Sequence, residues 1–202
     1  MSKEMDMSNS HKQRLRNALW AVATITCAFS LITSTANAQG SAPTDAQIVG
    51  IVAMADQIDI NYAKLALSKT QDKQVIGFAK QMITDHSSVQ KSVDALAAKL
   101  NVTAADSETS DSLKAQAQQM TQKLEGLKGG DFEKAYMDNE VAYHQAVINA
   151  TKTVLVPSAQ NAELKSALQG AVPLFEGHLA HAQRVQSAIE GGGRQSSSRM
   201  RR

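Results

Sequence analysis

The sequence predicts an all-α protein, a four-helix bundle in which a long crossover between the second and third helices carries an extra helix. Three observations predict this. From Thr44 to Glu190 apolar residues recur at alternating three- and four-residue spacing, with two prolines and no strand-like alternation. Short polar breaks at Thr70–Asp72 and Pro157–Asn161 each join two long periodic segments as antiparallel neighbours. A much longer stretch, Asn101 to Gly130, separates the two pairs.

The first helix is expected from Asp45 to Lys69, with Thr44 and Asp45 suited to cap its start. Ile51, Ala55, Ile58, Tyr62 and Leu65 form its seam, and Asp59 lies at the edge. The second runs from Lys73 through Val75, Ala79, Met82, His86, Val89, Val93, Leu96 and Leu100. Within the crossover, Ser112 to Leu127 is helical in pattern and would span about 24 Å at 1.5 Å per residue. The third, from Asp131, turns Met137, Val141, His144, Ile148, Thr151 and Leu155 inward. The fourth, from Asn161, turns in Leu164, Leu168, Ala171, Phe175, His178, Ala182, Val185 and Ile189. Each stripe is a face a helix buries against its neighbours. One long crossover in such a bundle is the ferritin-like arrangement.

The ends read differently. Basic residues from His11 to Arg16 precede an uncharged apolar run from Ala18 to Ile32 and the small-residue ending Ala36-Asn37-Ala38. That order is a secretory signal peptide, residues 1–38, cleaved after Ala38, and it predicts a periplasmic or secreted protein. Retention as an uncleaved anchor is the alternative; after cleavage no transmembrane span is expected. Cys27, the only cysteine, lies inside the apolar run. Thiol chemistry, disulfides and covalent haem attachment are therefore excluded from the mature chain. Residues 39–190 form the expected bundle domain, and 191–202 a disordered basic tail opened by Gly191-Gly192-Gly193. The tail is a candidate for contact with an anionic envelope surface, with a solvated tail the alternative. Lys and Arg balance Asp and Glu in the mature chain, so no field points to nucleic acid. Self-association is left open.

His86, His144 and His178 each replace an apolar residue at a seam position near the middle of a helix. Helix midpoints meet at one level in a bundle, so the three imidazoles are expected to converge there. Glu140 lies one turn before His144 on nearly the same face, and Asp59 near the middle of the first helix can join. His181 flanks the seam one turn after His178, within reach of a shared ion. Asp85 is better placed to hydrogen-bond a neighbour, and Glu176 faces solvent. The expected metal ligands are thus His86, His144 and His178, with Glu140, Asp59 and His181 as further candidates. A histidine-rich set of this kind suits zinc, iron, copper or nickel. The competing expectation is a non-enzymatic helical module whose histidines form a buried hydrogen-bond network.

The segments "FAKQMITDH" (Phe78–His86), "DFEKAYMDNEVAYH" (Asp131–His144) and "VPLFEGH" (Val172–His178) resemble signature stretches of family 4142 of the domains of unknown function. The resemblance covers roughly Asp45 to Ile189. It implies an exported bacterial protein with a ferritin-like helical domain and no assigned biochemical role. Ferritin-like di-iron enzymes carry Glu-x-x-His on two helices. Here Ile83, Val141 and Phe175 stand three residues before the seam histidines, and Asp59 and Asn61 stand where family members tend to carry first-helix glutamates. A bridged di-iron centre is not expected. No glycine-rich phosphate loop or nucleophile elbow occurs, so neither nucleotide binding nor hydrolysis is indicated. Met82, one turn before His86, leaves non-covalent haem as a minor alternative. The balance leans away from an enzyme.

Overall fold

The computed structural model describes residues 41–199. The expected signal peptide, with residues 39, 40 and 200–202, lies outside the described residues. The fold is all-α, with no strand among the described residues. In chain order the helices are α1 (Asp45–Lys69), α2 (Lys73–Lys99), α3 (Glu108–Gly126), α4 (Gly129–Ala150), a π-turn at Thr151–Leu155, α5 (Val156–Ser158) and α6 (Ala162–Arg199).

Side-chain caps set most of the starts. The Thr44 hydroxyl accepts the Gln47 N–H, and the Gln47 side chain accepts the Thr44 N–H, a reciprocal capping box. Asp72 accepts the N–H groups of Gln74 and Val75 at 2.8 and 3.0 Å, and Asn161 those of Glu163 and Leu164 at 2.8 and 3.1 Å. No side chain caps α4. It begins at Gly129, whose φ of +54° is a left-handed conformation that glycine adopts without steric cost.

Two expectations from the sequence change. The third predicted helix does not run evenly to Leu155 but widens into the π-turn. Pro157 has no N–H for the Thr153 carbonyl, and its ring crowds that carbonyl, so regular α geometry cannot continue into it. The fourth predicted helix, α6, continues through Gly191 to Arg199, where the sequence predicts a disordered tail. Glycine costs a helix interior about 1 kcal/mol relative to alanine, which disfavours continuation without forbidding it.

α1 packs along α2, and α4 along α6; contacts of α2 with α6 and of α1 with α4 close a ring of four. The crossover helix α3 lies against α1 and touches α4. Its approach is pinned at Ala105, whose N–H donates to the Ala46 carbonyl at 3.0 Å. A side chain at Gly50 would collide with the Ala105 carbonyl. None of the described helices is long and apolar enough to cross a membrane.

The core is divided along the bundle. One half is filled by a large cluster that includes Phe78, Met82, Phe132, Tyr136 and Met137, all fully buried. A smaller cluster, with Ile48, Val49, Leu155 and Leu164, closes the far end. Between the imidazole level and that end lies a cavity of about 760 Å³. The seam expected on α2 accordingly splits: Val75 to His86 are buried, whereas Val89, Val93 and Leu96 are half-buried and line the cavity. The α1 face also differs from expectation. Ala55 and Leu65 are half-buried, while Asp56 and Asp59 are buried.

Candidate metal centre

Each of the four ring helices brings polar groups to the boundary between the two halves. α1 contributes Asp56 and Asp59, α2 contributes His86, α4 contributes Glu140 and His144, and α6 contributes His178; all six are buried. Ring centroids lie 5.7 Å apart for His86–His144, 5.1 Å for His86–His178 and 5.3 Å for His144–His178. One nitrogen from each imidazole lies within 4.8 Å of the other two. Atoms of Asp59, Glu140 and His144 form a second group that meets the same limit, so His144 belongs to both.

The outward nitrogen of each ring is engaged. His86 Nδ1 is 2.7 Å from Asp56 Oδ1, and His178 Nε2 is 2.9 Å from Asp85 Oδ2. His144 Nδ1 donates to the Glu140 backbone carbonyl at 3.0 Å. The inward nitrogens, His86 Nε2, His144 Nε2 and His178 Nδ1, make no well-aligned hydrogen bond within the protein. Neither do the carboxylate oxygens of Asp59 and Glu140. Asp59 Oδ2 approaches His86 Nε2 at 3.1 Å and His144 Nε2 at 3.4 Å. Holding the outer nitrogen of an imidazole with a carboxylate or carbonyl fixes its tautomer and aims the other nitrogen, as at histidine-ligated metals. Phe175 stacks on His86, with centroids 5.8 Å apart and planes within 6°.

A family model described as "Domain of unknown function (DUF4142)" matches residues 31–185. The chain belongs to this family. No curated protein and no solved structure matches it. Membership of DUF4142 carries no assigned activity, so the chemistry has to be read from the site.

Burial and charge divide the ionisable groups of this DUF4142 site. Burial works against a charge on His86, but its hydrogen bond to Asp56 and the close approach of the Asp59 carboxylate outweigh that and push it up to about 10. Burial draws His144 down to about 4, against the attraction of Asp59. Burial also lowers His178, opposed by its bond to Asp85. Glu140 is raised well above the usual carboxylate range, by burial and then by repulsion from Asp59. At neutral pH the site therefore holds a protonated His86 and two neutral imidazoles, beside a Glu140 whose protonated form burial favours. The neutral imidazoles are ready to ligate, and the His86 proton must leave before that ring can.

Of the candidates named from the sequence, the structure brings together Asp59, His86, Glu140, His144 and His178. His181 stays outside: its Nδ1 pairs with Gln81 Oε1 at 2.8 Å, and its ring packs on Phe78 at 5.3 Å. A three-residue step turns it off the seam, toward the α2 flank. Asp85 takes the neighbour-bonding place expected of it, and Glu176 pairs at the surface with Lys152. Sequence reasoning missed Asp56. The available signal was its position three residues before Asp59, which places both carboxylates on one face of α1.

Proposed function

We propose that this DUF4142 protein is an exported, ferritin-like helical bundle that binds one transition metal ion at the midplane, through His86, His144 and His178 with Asp59 and Glu140. The observation carrying this reading is the pairing pattern. Three buried imidazoles each have one nitrogen held by a partner and the other without a hydrogen bond, and one nitrogen from each ring lies within 4.8 Å of the other two. Leaving so many buried polar atoms unpaired costs on the order of 1–3 kcal/mol each. A cation shared among them removes the cost at all three nitrogens together. Nitrogen and carboxylate donors suit zinc, copper, nickel or iron(II) rather than magnesium or calcium. The basic, apolar and A-x-A segments at the N-terminus support a location outside the cytoplasm.

The competing reading, a buried hydrogen-bond network, draws on the Asp56–His86–Asp59 contacts. It accounts for His86 but supplies no donor or acceptor for the inner nitrogens of His144 and His178. Elemental analysis of protein recovered through its own export route separates the two. The metal reading expects about one transition metal per chain and its loss in His144→Ala and His178→Ala. Metal-free protein that cannot be loaded, or unchanged loading in both variants, would refute it.

A further inference from the structure

The cavity adjoins this site without belonging to it. Its floor is formed by His86 and His144 with Asp56 and Asp85, and its walls by the half of the bundle beyond them. Those walls are mostly apolar, with Val93, Leu168 and Ala171 among them and a few hydroxyl and amide groups such as Ser92 and Gln116; the aromatic residues that touch the cavity, Tyr62, Tyr143 and Phe175, belong to the histidine end. From Leu164 to Phe175, both of which line it, α6 rises about 16 Å at 1.5 Å per residue. That is the reach of roughly a dozen chain carbons at about 1.2 Å per bond. The volume lies within the range of small-molecule sites, which combine apolar walls with a few converging polar groups. A mostly apolar chamber offers water few of the two to four polar partners it needs, except beside its scattered hydroxyl and amide groups.

The backbone around the chamber is irregular where a packed core would favour regular helix. The π-turn carries Thr151 and Leu155 into its wall, and π-turns recur at functional sites. Pro173 interrupts the α6 hydrogen-bond ladder between the lining residues Ala171 and Leu174.

We propose that the cavity binds a long-chain aliphatic acid, with its tail along the apolar walls and its carboxylate at the imidazole floor. The head-group assignment rests on the metal reading, because the acidic residues at the floor would repel a carboxylate that no cation drew in. The tail site does not depend on it. The full-length exported protein, metal-loaded and metal-free, is titrated calorimetrically with octanoate, decanoate and dodecanoate below their micellar concentrations. The loaded protein is expected to bind one chain saturably, with affinity rising up to about fourfold per added methylene. Ala171→Phe and Val93→Phe, which narrow the chamber from its α6 and α2 walls, are expected to lose at least tenfold in dodecanoate affinity while keeping metal content unchanged. Loaded protein that ignores dodecanoate, or filled variants that bind it as tightly as wild type, would overturn the proposal and leave the metal reading standing. If no metal can be loaded, the metal reading fails, and metal-free protein decides the tail site. Dodecanoate binding lost on filling supports the site, and no binding overturns it.

Discussion

The two halves of the bundle are built from the same four helices and use their cores in opposite ways. On one side of the imidazole level, Phe78, Phe132, Tyr136 and Met137 interlock with no exposure. On the other, Val89, Val93, Leu96 and Ala171 stand back around a cavity of about 760 Å³. Their heptad spacing is equally regular. The difference lies in size: the packed half has rings and methionines reaching across the axis, while the hollow half has valines, leucines and alanines that stop short. On the proposed reading, stability and binding fall to different ends, with the histidines at the boundary.

That division predicts unequal responses to substitution. Truncating the packed half should cost most: Phe78→Ala is expected to lose about 3–5 kcal/mol in denaturant unfolding. Leu96→Ala, beside space already empty, should lose clearly less, because it removes fewer contacts; equal losses would erase the distinction between the halves. Metal should act next. At a hundredfold excess over Kd it is expected to stabilise the fold by about 2.7 kcal/mol, with no gain in His178→Ala. A smaller effect is expected from Asp56→Asn, which keeps every ligand but weakens the hold on His86. Metal affinity should fall about 10- to 100-fold, while binding stays one ion per chain.

The pH dependence sharpens the boundary itself. His144 and His178 have folded-state values lowered below the ordinary histidine value of 6.5. Their contribution to metal-free stability is thus full above 6.5 and is lost as pH falls, for His144 down to about 4. His86 has the opposite sign, because its value is raised to about 10. Its contribution is full below 6.5 and is lost as pH rises through about 10. Metal binding through His86 must displace its proton. Calorimetry in buffers of different ionisation heats should therefore register at least about one proton released per ion near neutral pH. Release of none would remove His86 from the ligand set.

Much of the fold was legible because seams report which face a helix buries. Asp45–Lys69 and the Thr70–Asp72 turn follow from caps and spacing, and the histidines stood out as polar residues on apolar faces. The cavity was not legible. Val93 and Ala171 have the same spacing whether they interdigitate or line a void, since periodicity gives direction and not distance. The α1 face was misjudged for a related reason. Ala55 and Leu65 continued an apolar stripe, yet Asp56 and Asp59 are the residues turned inward, because His86 gives them a buried partner. The π-turn depended on how Pro157 is relieved, which local sequence leaves open between a break and a widening.

The central claim is that three helices aim three imidazoles at one ion. Nitrogen-15 spectra of the histidine side chains, recorded while zinc is added to metal-free protein, test it most directly. The expected result is movement of His86, His144 and His178 together, complete at one equivalent, with His181 unchanged. Spectra in which those three rings stay fixed, or in which His181 moves in place of one of them, would contradict it.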